Sequence, residues 1–261
     1  MIDYSFSIGE LEYFLIILMR VAGCIFISPF FSFSATPRRV RAALAVVISY
    51  LVYYSTLPHE TILYETVLEY AIILMREIIV GIMIGFSTML ASSILMFAGR
   101  LVDMEIGLSM VNAIDPTSKE NATISGLYYQ YTVMIILLFS DMHQYIIKAL
   151  AETFELVPLN GVVFNLDAML GGFIGFMGDY ISIGFRICLP IFCCILISNV
   201  ILGILAKVAP QMNMFSVGMQ IKILFGLSIM GLTTAMLPNV ATFVNDEIRR
   251  MMVSFVKAMM T

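Results

Sequence analysis

An all-helical integral membrane protein is the fold class this sequence predicts, and three observations predict it. Of 261 residues, 61% are hydrophobic and only 12% are charged, with a mean hydropathy of +0.98. A soluble domain carries roughly 25% charged residues. The apolar residues gather in long runs, for which the bilayer is the natural solvent. Within the runs polar and apolar residues do not alternate, which excludes a lipid-facing barrel. The helix, which satisfies its own backbone groups, is left as the spanning element.

About six apolar helices are expected. Leu11–Phe31 follows MIDYSFSIGE, an acidic opening that lacks the positive n-region of a cleaved secretory signal, so this first segment is expected to be retained. Ala42–Leu57 follows Pro37 and a basic loop holding Arg38, Arg39 and Arg41. Ile72–Phe97 contains Ile78–Phe97, about 20 residues and long enough to cross the hydrocarbon. Leu127–Ser140 falls short of that length. Gly178–Ala206 contains a second run of about 20 residues, Ile187–Ala206, with Pro190 inside it and a kink expected there. Ile223–Leu237 is again short. Short apolar segments are more often buried in protein than bare to lipid, so some helices are expected to lie against sister subunits. With no repeat, low-complexity tract or linker in the sequence, one membrane domain over residues 1–261 is the simplest division.

Loop charge predicts an orientation. Arg38, Arg39 and Arg41 fall in the first loop, Arg100 and Lys119 after the third segment, and Lys207 and Lys222 after the fifth, whereas the alternate side holds only Lys148. Lys/Arg excess marks the cytoplasmic face. Both termini are therefore expected outside, although Arg249, Arg250 and Lys257 in the tail run against the rule.

Several function classes drop out. A net charge of −4 without a basic stripe gives no footprint for nucleic acid. No Gly-rich phosphate loop with its Lys is present, and no nucleophile stands in a recognisable catalytic setting. Asp141 and His143 are two residues apart, on different faces of a helix, and read as a loop-end pair. Cys24, Cys188, Cys193 and Cys194 sit in apolar runs and read as small buried hydrophobes, not disulfides or zinc ligands. No cofactor is expected. The 21 methionines read as adaptable packing filler.

Ionisable residues inside apolar segments are costly and face protein or water. Glu12, Arg20, Arg76, Glu77, Asp179 and Arg186 are such residues. Asp179 and Arg186 share a helix face but lie ~10 Å apart along it, so each is expected to pair with another helix or subunit. An assembly contact fits better than a proton relay, which wants a chain of acids. Small residues form two further faces, Gly81 with Gly85, and Gly171 with Gly175 and Gly178. Both read as ordinary packing within the chain.

Two polar stretches interrupt the oil. Arg100–Gly126 is long for a connection and mixes Met104, Leu108, Met110, Val111 and Ile114 with charge; Asp115-Pro116 marks a turn. The residues alone leave open a plug or an amphipathic helix. LAKVAPQMNMFSVGMQIKILFG, Leu205–Gly226, brings Lys207, Pro210, Gln211, Asn213, Gln220 and Lys222 close together.

The wording of the chain decides more. RVAGCIFISPFFS with PRRVRAALA, REIIVGIMIGF, GRLVDMEIGLSM with IDP, TFELVPLNG, and LAKVAPQMNMFSVGMQIKILFG followed by LTTAMLP occur in this order. Together they resemble, nearly end to end, the FliR family of flagellar biosynthetic proteins, with the SctT family as its injectisome counterpart. That resemblance implies a non-enzymatic subunit of the type III export gate, working with FliP-like and FliQ-like subunits near an FlhB-like subunit, with exported flagellar proteins as transient cargo. It implies a FliP-like part over about residues 1–175 and a FliQ-like hairpin over 176–261, in the inner membrane at the flagellar basal body. It maps a channel plug onto Gly107–Ser125, including Gly107, Met110, Asp115 and Pro116. It makes Lys207, Pro210, Gln211 and Lys222 a cytoplasmic docking turn, and Arg20, Arg76, Glu77, Asp179 and Arg186 contacts between subunits. A stand-alone secondary transporter is the competing reading; it would show inverted repeats and a mid-membrane site.

Overall fold

The computed structural model describes residues 8–32, 36–56, 64–110, 113–114, 121–159, 161–211 and 213–260. Eight α-helices carry these residues: α1 (Ile8–Ile27), α2 (Arg38–Ser55), α3 (Val67–Ile106), α4 (Ile124–Phe139), α5 (Met142–Leu156), α6 (Leu166–Val208), α7 (Met214–Thr233) and α8 (Leu237–Met260). All six expected apolar segments are helices. The additions are α5 and α8, which bury one face and leave the other polar. On α5 the buried positions are Met142, Ile146, Leu150 and Phe154, one stripe at helical spacing. On α8 they are Val244, Ile248, Met251, Phe255 and Met259.

Three helical stretches are long and apolar enough to cross a membrane: Val67–Ile106, Leu166–Val208 and Val217–Met260. The last joins α7 to α8 through a 3-10 turn, Thr234–Met236. A bent pair, α4 and α5 at 69°, would add a fourth span. So fewer than six of the helices are spans in their own right. Helix α6 is helical throughout its 43 residues, Pro190 included.

The residues fall into two compact units. The first holds residues up to Leu90, Asp141–Gly175 and Glu247 onward. Its core is a seam between α1 and α3, Ile17, Val21 and Cys24 against Ile73, Val80 and Ile84. With Glu77, also buried, between Ile73 and Val80, both stripes repeat at three- and four-residue spacing, which is what one helix needs to bury a single face. Glycines bring the two backbones together: a Cβ on Gly23 would sit 2.7 Å from the Ile78 carbonyl, one on Gly85 2.7 Å from the Cys24 carbonyl, and one on Gly81 on the Arg20 carbonyl. Tyr64 and Tyr70 tie the start of α3 to α1 by donating to the Glu12 carboxylate (2.6 Å) and Glu12 carbonyl (3.0 Å). The Glu12 hydrogen bond also raises the Tyr64 phenol above its ordinary pKa. An extended segment donates from Val163 and Asn165 to the carbonyls of Met259 and Ala258. Asn165 then caps α6, its side chain accepting the Ala168 N–H at 3.1 Å.

The second unit holds Ala91–Ser140 and Phe176–Asp246. Ile94, Ala98 and Val102 of α3, Tyr129 and Val133 of α4, and Cys188, Ile191 and Ile195 of α6 are its buried centre. Gly184 is packed against the Phe97 ring and Gly226 against Ile106. Helices α6 and α7 form a hairpin, with a Cβ on Gly218 lying 3.6 Å from Leu202.

Candidate functional site

The loop after α3 is shorter than the sequence suggests, because Arg100–Ile106 continue the helix. It starts at Gly107, whose φ of +92° is open to glycine and strained for other residues. A 3-10 turn, Leu108–Met110, follows. Two short strands, Ala113–Ile114 and Asn121–Ala122, then pair antiparallel, Ala113 opposite Ala122 and Ile114 opposite Asn121. Asp115 and Pro116 lie outside the described residues, as does the Met110 side chain.

The base of this loop is pinned. Asp103, buried in the last turns of α3, accepts the Ser125 backbone N–H at 3.2 Å. Ser125 is the second residue of α4, whose N–H an N-cap side chain would normally take. Thr123, the actual N-cap, makes no side-chain cap bond. A carboxylate from another helix therefore does the capping, and the helix dipole favours its charge. One turn below, a Cβ on Gly99 would fall on the Gly126 backbone, so the two helices touch there. Sequence reading missed Asp103 because its partner is 22 residues away, across the loop. Asp103→Ala is expected to cost ~1 kcal/mol of cap and to speed amide exchange at Ile124 and Ser125 about fivefold, with Asp103→Asn, which keeps an acceptor, in between. Hydrogen exchange on the purified chain measures it; unchanged protection in Asp103→Ala would remove the cap from the account.

The polar stretch between the fifth and sixth apolar segments, expected as a turn, joins α6 to α7. Lys207 lies in the last turn of α6. Ala209 donates to the Leu205 carbonyl at 2.8 Å and Val217 to the Asn213 carbonyl at 3.1 Å. Pro210 and Gln211 are exposed in the turn, but Lys222 is half-buried within α7. The docking turn read from sequence thus covers the end of one helix, a turn and the start of the next.

Of the charged residues in apolar segments, Arg20 and Glu77 find each other inside the chain instead of on a sister subunit. Both are fully buried, with Nε to Oε2 at 2.6 Å. The other Arg20 nitrogens donate to the Thr153 carbonyl (2.9 Å) and hydroxyl (3.3 Å) and to the Val157 carbonyl (3.1 Å), and its guanidinium lies 4.2 Å from the Phe154 ring centre. Arg20 thus closes the C-terminal end of α5, where helix carbonyls lack partners. Arg76 and Arg186 are exposed, and Asp179 is half-buried. Asp141 is an exposed turn residue in the left-handed region, φ 56°, and its carboxylate accepts from Gln144 at 2.8 Å. The four cysteines are free, and Cys193 and Cys194 are exposed, not buried as expected.

The small-residue faces separate. Gly81 and Gly85 pack within the chain, as read. On α6 Gly172 does so against Ser254 and Gly184 against Phe97, while nothing lies within 4 Å of a Cβ on Gly171, Gly175 or Gly178. Leu166, Leu170, Ile174 and Ile181 on the same helix are all exposed.

The sequence matches the family described as bacterial export proteins, family 1, over residues 11–248. This chain belongs to that family. Among its relatives, the flagellar biosynthetic protein FliR of Escherichia coli (strain K12) is 27% identical over 227 residues, 87% of this chain and 84% of the relative. FliR of Aquifex aeolicus (strain VF5) is 28% identical over 224 residues, 84% of this chain and 85% of the relative. The surface presentation of antigens protein SpaR of Shigella flexneri is 26% identical over 166 residues, 63% of this chain and 64% of the relative. Both the flagellar and the SpaR branch of export proteins are therefore kin, and the FliR/SctT resemblance stands.

Proposed function

We propose that this chain is a non-enzymatic subunit of a type III protein export gate in the bacterial inner membrane, serving flagellum assembly at the basal body. The observation that carries the reading is the family match from residue 11 to residue 248, with FliR proteins covering most of the chain. In this reading FliP-like and FliQ-like subunits complete a channel with it, a FliP-like part reaching to about residue 175 and a FliQ-like hairpin following. An FlhB-like subunit meets the turn with Lys207, Pro210, Gln211 and Lys222. Unfolded flagellar proteins are the cargo. The open glycine face of α6 and its exposed leucines and isoleucines support contact with sister helices, since small residues allow close backbone approach. In this reading the exposed Arg76 meets a sister chain. The SpaR kinship supports the injectisome counterpart as the second reading.

Residues Gly107–Ser125 are the plug of this channel. The pinned stem supports that role, because a stopper needs a fixed root. Deleting Gly107–Ser125 is expected to make the assembled channel leak small ions, read as conductance in a planar bilayer or as ion sensitivity of the cells. Unchanged closed-state conductance would remove the plug. Copurification tests the wider reading: the tagged chain should bring down small helical membrane partners, whereas a stand-alone transporter would come alone and active.

A further inference from the structure

We infer that a groove in the second unit, headed by Arg186, is a binding site for one anionic phospholipid. The groove has a volume of about 370 Å³, inside the ~300–1,000 Å³ range of small-molecule sites. It lies between α4, the middle of α6 and the junction of α7 with α8, and its walls are mostly apolar, with Ile187, Pro190, Leu237 and Phe243 among them. Polar residues interrupt the walls: Arg186 and Asn239, with the hydroxyl-bearing Tyr129, Thr233 and Thr242.

Arg186 sits on an otherwise oily helix and makes no hydrogen bond or ion pair among the described residues, although it is exposed. A cation at such a position wants an anion. Its depth says which. Between Arg186 and Lys207 no residue is charged, a run of about 20 residues and ~30 Å, the hydrocarbon thickness. The run places Arg186 at headgroup level, where phosphate is, and the groove beside it is walled with the side chains an acyl chain packs against. Guanidinium and phosphate pair through two parallel hydrogen bonds. Pro190 brings no N–H to the Arg186 carbonyl one turn back, and Asn239 adds an amide, so hydroxyls of a glycerol headgroup have an acceptor and a donor at hand. The inference needs membrane residence only and is independent of the export reading.

The test is native mass spectrometry of the full-length chain in detergent, titrated with phosphatidylglycerol and, separately, phosphatidylcholine. The wild-type chain is expected to keep one phosphatidylglycerol at least ~10-fold more tightly than phosphatidylcholine, as a charge-assisted pair implies. Arg186→Gln, an exposed change, should lose that preference and keep weak binding of both lipids. Thr242→Trp, which fills the groove and leaves Arg186 in place, should weaken both. Excess inorganic phosphate should not displace the lipid, because the chain contributes as well as the head. Equal retention of phosphatidylglycerol by wild type and Arg186→Gln would overturn the site, as would displacement by phosphate alone. If Arg186→Gln leaves lipid binding unchanged but abolishes copurification of partner subunits, Arg186 answers to a protein carboxylate and the lipid site is wrong.

Discussion

Replacing Arg20 with methionine is expected to destabilise the chain by ~3–5 kcal/mol, the range for breaking a buried ion pair from one side. Glu77 would keep its charge at a site with no solvent access, and its second oxygen has no hydrogen-bond partner among the described residues. The Val157 carbonyl, which Arg20 now satisfies, would lose that donor at ~1–3 kcal/mol, whereas the Thr153 carbonyl keeps the Val157 N–H at 2.9 Å. The double variant Arg20→Met/Glu77→Leu removes the stranded charge and should recover at least half of the loss, because apolar replacement of a whole buried pair is often near neutral while the Val157 carbonyl stays without its Arg20 donor. Thermal unfolding of the purified chain in detergent reads both. If the double variant is no more stable than Arg20→Met alone, the pair is not what holds the end of α5.

The second large effect is expected at Gly81. Even alanine there puts a Cβ onto the Arg20 backbone carbonyl, and backbone cannot rotate away as a side chain can. Helices α1 and α3 must part. Overpacking of this kind costs ~1–3 kcal/mol, and here the same seam carries the Arg20–Glu77 pair, so the two losses couple. Gly81→Ala is therefore expected to fail to accumulate in membranes. Gly203→Ala, away from the open glycine face of α6, is the control: nothing lies within 4 Å of its added Cβ, and replacing an open helical glycine gains ~0.5–1 kcal/mol. Equal accumulation of the two variants would mean that α1 and α3 do not meet as described.

What the sequence disclosed followed from what kind of physics it encodes locally. Apolar runs such as Ile187–Ala206 declare a helix in lipid without any partner, and all six were legible. Helices α5 and α8 were not, because their signal is a one-sided stripe, Ile146, Leu150 and Phe154 for example, and a search for continuous oil passes over it. The GIMIG glycines were read correctly as a packing face. The spacing of Gly171, Gly175 and Gly178 looks the same in sequence, yet that face is open, since spacing tells that a helix can be approached and not by what. Pairings across the chain were illegible for a plainer reason. Arg20 and Glu77 are 57 residues apart and Asp103 and Ser125 are 22 apart, and no periodicity links them. Arg186 was picked out for its charge, but the groove beside it belongs to three segments that only folding brings together.

Helix α6 carries one more consequence. Its 43 residues measure ~65 Å, about twice the oily interior of a bilayer, and its outward side is greasy along nearly the whole length, from Leu166 at 75% exposure to Val208 at 75%. Lipid can wet only half of that. The remainder, wherever the helix sits in depth, faces water until another protein arrives. With the sister chains of the proposed gate missing, a newly made copy is therefore expected to be a sticky orphan, prone to clumping or to destruction by quality-control proteases.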